Sequence, residues 1–244
     1  YVANEGVGKT SFVIGEVYDA LMQGVNVLMY SGETATIKVA AMLESIHIFK
    51  MYGLRFRVED LINTDNIVDT PAYTRDRLVE MINSARIDLY NGESYGKLSL
   101  NLSFAYAHTR EVISNEFAST HYDLVVIDHT AAMDRTMDET AYRLGLNNIK
   151  NCIDYLMYCE DKIVKKYNCM FINTSHTNND AERDIAKGKE TGSRITGNSG
   201  NVSKYSTFVW LIKTNAELEK NNRRVLEHNK ARDYAKILTP IVID

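Results

Sequence analysis

The sequence predicts an α/β fold, a mostly parallel twisted sheet flanked by helices and finished by an antiparallel hairpin. Three observations predict it. Short apolar runs recur at residues 25–30, 124–127, 170–174, 207–212, 225–228 and 237–243. Long helical patterns separate the early runs, at 35–51, 75–89, 109–117 and 144–166, as crossover connections between parallel strands require. The last runs follow one another without room for helices, so the sheet should end antiparallel.

The first element is a turn. In Tyr1-Val2-Ala3-Asn4-Glu5-Gly6-Val7-Gly8-Lys9-Thr10-Ser11, the Gly8-Lys9-Thr10 triplet lies five places after Ala3. This spacing fits a phosphate-binding loop whose first glycine is replaced by alanine. Gly6 and Gly8 let the backbone curl so that successive N–H groups point inward at a polyphosphate. Lys9 supplies a point charge for the β- and γ-phosphates, and the Thr10 hydroxyl can ligate Mg²⁺. The nucleotide-binding set is therefore Asn4, Glu5, Gly6, Val7, Gly8, Lys9, Thr10 and Ser11. A solvated glycine-rich turn would share the loose pattern, but the context favours the phosphate loop. Phe12, Val13, Val17, Ala20 and Leu21 share one helical face, Gly24 stops the helix, and a buried strand follows.

That strand runs into Ser31-Gly32-Glu33. Glu33 at the carboxyl edge can polarise a water that attacks a γ-phosphate, or it can cap the next helix. The run at 124–127 delivers Asp128 to the same edge, where it can hold Mg²⁺ opposite Thr10. The next run leads to His176, either a structural histidine or a group that senses the γ-phosphate. Residues 178–201 are strongly polar and carry Lys187, Lys189 and Arg194. So long a polar stretch in a compact domain is usually functional or disordered.

Composition bounds the rest. The 244 residues are 45% hydrophobic, enough for one large domain spanning 1–244. A net charge of −4 excludes a wholly basic nucleic-acid-coating protein but not basic loops lining a channel. Cys152, Cys159 and Cys169 are odd in number and lack metal-ligand spacing, which fits reduced thiols. No run of 18 apolar residues suggests a membrane span, and no signal peptide is visible. The absence of an initiator Met and the opening directly on the phosphate loop suggest a fragment.

In this order the parts resemble the RecA-like motor domain of DnaB-family replicative helicases, over nearly the whole chain. The phosphate loop, "YSGET" at 30–34 and "LVVIDHTAAM" at 124–133 look like the family's first three motifs. "INTSHTNND" at 172–180 is similar to its sensor strand, "SGNVSKYSTFVWLI" at 199–212 to its fourth motif, and "EHNKARD" at 227–233 to its Lys-x-Arg finger. The resemblance implies an ATP-dependent DNA helicase using ATP or another NTP with Mg²⁺. Glu33 would be the catalytic base, and Lys9 and His176 would face the γ-phosphate. Lys230 and Arg232 would reach a neighbouring subunit's γ-phosphate, although a charged, solvated strand edge would look the same. Lys187, Lys189 and Arg194 would track single-stranded DNA, or simply belong to a solvated loop.

The resemblance also implies a homo-hexamer, primase and helicase-loader partners, and the cytoplasm of a bacterial or phage-infected cell. The family's N-terminal domain and linker helix are absent from this chain. His176 stands where the family usually has glutamine, and Ser206 and Thr207 stand where it has an acidic residue. A RecA-like recombinase and a nucleotide-switched assembly or regulatory ATPase are the competing readings.

Overall fold

The computed structural model describes residues 1–3, 6–66, 74–91, 95–177, 205–214, 216–221, 223–231 and 241–243. Strand β1 (Val2–Ala3) enters the phosphate loop, and helix α1 (Lys9–Met22) leaves it. Then come β2 (Val27–Ser31), α2 (Thr36–Tyr52), α3 (Val58–Ile62), α4 (Arg75–Tyr90) and β3 (Leu98–Leu102). These are followed by α5 (Thr109–Ser119), β4 (Leu124–Asp128), α6 (Glu139–Arg143) and α7 (Ile149–Tyr167). The chain continues through β5 (Met170–Asn173), β6 (Ser175–His176), β7 (Phe208–Lys213), α8 (Ala216–Lys220), β8 (Arg224–Ala231) and β9 (Ile241–Ile243).

One ladder runs β3-β2-β4-β5, and all its pairs are parallel. The other runs β6-β1-β7-β8-β9, parallel as far as β7 and antiparallel beyond. A single residue, Thr174, separates β5 from β6. The Thr174 N–H donates to the Ile127 carbonyl and the Ser175 N–H to the Tyr1 carbonyl. One stretch of chain thus borders β4 on one side and β1 on the other. This sets the phosphate loop beside the end of β4.

Residues of β2 and β4 alternate between two apolar layers, as the two-residue repeat of a strand demands. Leu28, Tyr30, Val125 and Ile127 pack with Ile113 of α5 and with Ile153 and Leu156 of α7. Val27, Met29, Leu124 and Val126 pack with Val13, Ile14, Val17 and Leu21 of α1 and with Val39 and Leu43 of α2. Both faces are covered, so these strands read as continuous apolar runs. Each such buried side chain contributes about 1.5–3 kcal/mol relative to exposure. Helix α4 packs on α2 through Leu78, Met81, Ile82 and Ala85.

The expected architecture holds, with corrections. Strand β3 was not expected: its Leu-Ser-Leu-Asn-Leu pattern is short and only partly buried, and its pairing with β2 defines it. The helix expected over 144–166 begins at Ile149, because Gly145 takes a left-handed conformation (φ 68°) and Asn148 caps the next turn by accepting the Asn151 N–H. The last strands do leave room for one short helix, α8, between β7 and β8. The short helix α3 also escaped the periodicity reading. Of the final expected strand, 237–243, only residues 241–243 are described. No helix among the described residues is long and apolar enough to cross a membrane.

Candidate active site

The loop between β1 and α1 turns on glycine. Gly6 (φ 74°) and Gly8 (φ 97°) lie in the left-handed region, where a side chain is strained. Gly8 is the N-cap of α1, so the helix's unsatisfied N–H groups and positive end face the loop. Lys9 is buried, and its Nζ donates to the Ala3 carbonyl at 3.2 Å and lies 3.2 Å from His176 Nδ1. The Thr10 hydroxyl donates to Asp128 Oδ2 at 2.8 Å. The Thr174 hydroxyl donates to Asp128 Oδ1 at 2.5 Å, so both oxygens of this buried carboxylate are held.

Glu33 lies just past the end of β2, on the same edge. Its approach depends on Gly32, whose N–H donates to the Asp128 carbonyl at 2.8 Å. A Cβ at Gly32 would meet the Ala132 carbonyl oxygen at 2.7 Å and Met133 Cε at 2.6 Å. Only glycine allows the two loops to come this close. The Ser31 hydroxyl closes the turn by donating to the Thr34 carbonyl at 2.6 Å. The N-cap of α2 is Ala35, so Glu33 is not its capping residue. Its carboxylate lies 3.2 Å from His129 Nε2. The ring of His129 is nearly buried and meets His176 edge-on, with centroids 4.5 Å apart. Burial, with the neighbouring His176, holds His129 below the ordinary histidine pKa against the opposing pull of Glu33 and Asp128.

The structure therefore brings Lys9, Thr10, Glu33, Asp128 and His176 together at one sheet edge, from segments up to 167 residues apart. Gly6, Val7, Gly8 and Ser11 belong to the same turn and the start of α1. Lys230 lies on β8 opposite Val209 of β7, two strands from β1. Asn4, Glu5, Lys187, Lys189, Arg194 and Arg232 lie outside the described residues, as does the stretch 178–201.

Sequence reasoning missed His129 and Thr174. Their signal was position: His129 directly follows the strand-end aspartate, and Thr174 ends the next strand. The oxygen donors of Thr10 and Asp128 suit a hard cation such as Mg²⁺. The loop amides, the start of α1 and Lys9 suit a polyphosphate.

No protein-family model and no curated protein sequence matches the chain. Among solved structures, it is similar to one described as the ATPase domain of a larger protein, with a TM-score of 0.72 and 11% identity, over 99% of this chain and 78% of that one. It is also similar to a DnaB-like replicative helicase described with its interactions with primase, with a TM-score of 0.71 and 12% identity, over 99% of this chain. The chain spans 54% of that helicase's length. At such low identity the likeness is one of fold. The chain has the RecA-like α/β fold of DnaB-like helicase ATPase domains, a parallel sheet flanked by helices.

Proposed function

We propose that this chain is the NTP-hydrolysing motor domain of a ring-forming DNA helicase. The observation that carries the reading is the Thr10–Asp128 hydrogen bond at 2.8 Å, formed beside Lys9 and within one sheet edge of Glu33. Phosphate grip, cation ligands and a candidate base converge there.

In this reading the loop amides and Lys9 bind the β- and γ-phosphates. Thr10 and Asp128 hold Mg²⁺, which neutralises phosphate charge when bound. Glu33 orients the attacking water and takes its proton. His176, already within reach of Lys9, stands where it can respond to the γ-phosphate. Lys230 and Arg232 act on the nucleotide of a neighbouring subunit, so hydrolysis requires assembly. Lys187, Lys189 and Arg194 contact the phosphates of single-stranded DNA, and hydrolysis moves that contact along the strand.

The test is nucleotide hydrolysis by the full-length protein with and without single-stranded DNA, alongside strand displacement on a forked duplex. The motor reading expects stimulation by DNA and displacement that depends on nucleotide. Hydrolysis indifferent to DNA, with no displacement, would favour a nucleotide-switched assembly ATPase. In the same assay Arg232→Ala should abolish hydrolysis and leave nucleotide binding nearly intact, and turnover that survives the change would contradict a shared site.

A further inference from the structure

Glu33, His129 and His176 each offer a ligand atom, and these atoms lie within 4.8 Å of one another. Two histidines and a carboxylate at this spacing resemble a metal-binding set. The groups behind the rings point to a different use. A metal-bound imidazole normally gives its other ring N–H to an acceptor. Here the Nδ1 atom of each histidine faces a donor. The Ala131 N–H donates to His129 Nδ1 at 3.2 Å, and the Lys9 ammonium lies 3.2 Å from His176 Nδ1. A neutral ring that accepts at Nδ1 carries its proton on Nε2. A metal at Nε2 would drive that proton onto a nitrogen already facing a donor, and the Lys9 charge would repel the cation.

An Nε2–H donor suits a carboxylate instead. His129 Nε2 lies 3.2 Å from Glu33 Oε2. The His129 side chain is 8% exposed and that of Glu33 47% exposed, so a fixed ring meets an otherwise solvated acid. The ring is held by the Ala131 N–H on one side and by the edge of His176 on another. Gly32 brings the Glu33 loop against the backbone at Ala132, three residues beyond His129.

We infer that His129 is a positioning residue for Glu33, donating from Nε2 to fix the carboxylate beside the phosphate loop. The consequence for hydrolysis rests on the function proposed above, whereas the pairing itself does not. Removing the donor leaves Glu33 able to sample solvent-facing rotamers, so the fraction of bound nucleotide facing a correctly placed base falls. That loss appears in kcat and spares nucleotide affinity.

The experiment compares His129→Ala and His129→Gln with the wild type in the full-length protein. In His129→Ala, kcat should fall about 10- to 100-fold, while KM and the Kd for a fluorescent ATP analogue stay within about twofold. His129→Gln, whose amide can also donate, should recover part of the loss. In a Glu33→Gln background, His129→Ala should add nothing. Long-range ¹H–¹⁵N spectra should show the Nε2-protonated tautomer of His129, with a signal that moves in Glu33→Ala. An unchanged kcat in His129→Ala, an Nδ1-protonated ring, or a signal indifferent to Glu33→Ala would each overturn the inference. A wild type that hydrolyses no nucleotide would overturn the proposed function, and the spectra would still decide the pairing.

Discussion

Asp128 and Glu160 are both buried carboxylates, and adjacent residues of one strand serve them. Side chains of an extended chain alternate sides, so Thr174 turns to Asp128 while Asn173 turns to Glu160 on α7. Asp128 has a hydroxyl donor on each oxygen, Thr10 at 2.8 Å and Thr174 at 2.5 Å. Glu160 receives one amide N–H, from Asn173 at 2.8 Å, and its Oε1 has no hydrogen-bond partner among the described residues. Burial pushes its pKa up to about 8 against the opposing effect of the Asn173 amide. It borders a cavity of about 580 Å³ between the amino ends of β5 and β7, away from the phosphate loop.

Burial alone therefore does not mark a site. The donors distinguish the two acids. A threonine hydroxyl both donates and accepts, so Thr10 can leave Asp128 and ligate a cation without stranding a buried group. Glu160 has no such exchangeable partner among the described residues and remains a neutral acid.

The comparison breaks first at Lys9, which makes the Asp128 corner a phosphate site and has no counterpart near Glu160 among the described residues. Lys9→Ala should weaken nucleotide binding at least about 100-fold, roughly 3 kcal/mol, as measured with a fluorescent analogue. Retained affinity would reduce the Asp128 corner to a structural feature. Asp128→Asn should lower Mg²⁺-dependent hydrolysis about 100-fold and raise the Mg²⁺ concentration needed for half-maximal rate. Thr174→Val removes one donor and leaves the carboxylate in place. It should cost about 1 kcal/mol, read as a several-fold weaker Mg²⁺ dependence.

The smallest functional effect belongs to Glu160. Below about pH 4.5 its carboxyl is protonated in folded and unfolded chains alike. Between about pH 4.5 and 8 the folded chain keeps the proton that the unfolded chain releases, so stability falls as pH rises through that window. Glu160→Gln removes this dependence. Its Tm should exceed that of the wild type by about 4 °C or more at pH 8, with the gap closing toward pH 4 and hydrolysis unchanged. A Tm difference independent of pH would mean that Glu160 is charged when folded.

Much of this contrast was legible in the sequence, and part of it could not be. Strands buried on both faces announce themselves as apolar runs, so β2 and β4 were visible, as was the aspartate that ends β4. The phosphate loop was visible because glycine, lysine and threonine are each demanded by backbone curvature or charge. Strand β3 was not visible, since its partly exposed alternation becomes a strand only on pairing with β2. Asn173 and Thr174 looked alike as strand-end polar residues, and only the register against β4 and the packing of α7 assign them opposite partners. The Glu33–His129 pair joins residues 96 positions apart through a close approach at Gly32, and no local pattern encodes it.

The measurement that tests the central claim most directly is single-turnover hydrolysis by wild type and Glu33→Gln at matched nucleotide occupancy, under the DNA conditions that support turnover. If Lys9, Thr10 and Asp128 hold the nucleotide and Glu33 activates water, the variant binds Mg²⁺-nucleotide as the wild type does and cleaves it about 10²- to 10⁴-fold more slowly. Cleavage at the wild-type rate, or loss of binding together with cleavage, would contradict the account.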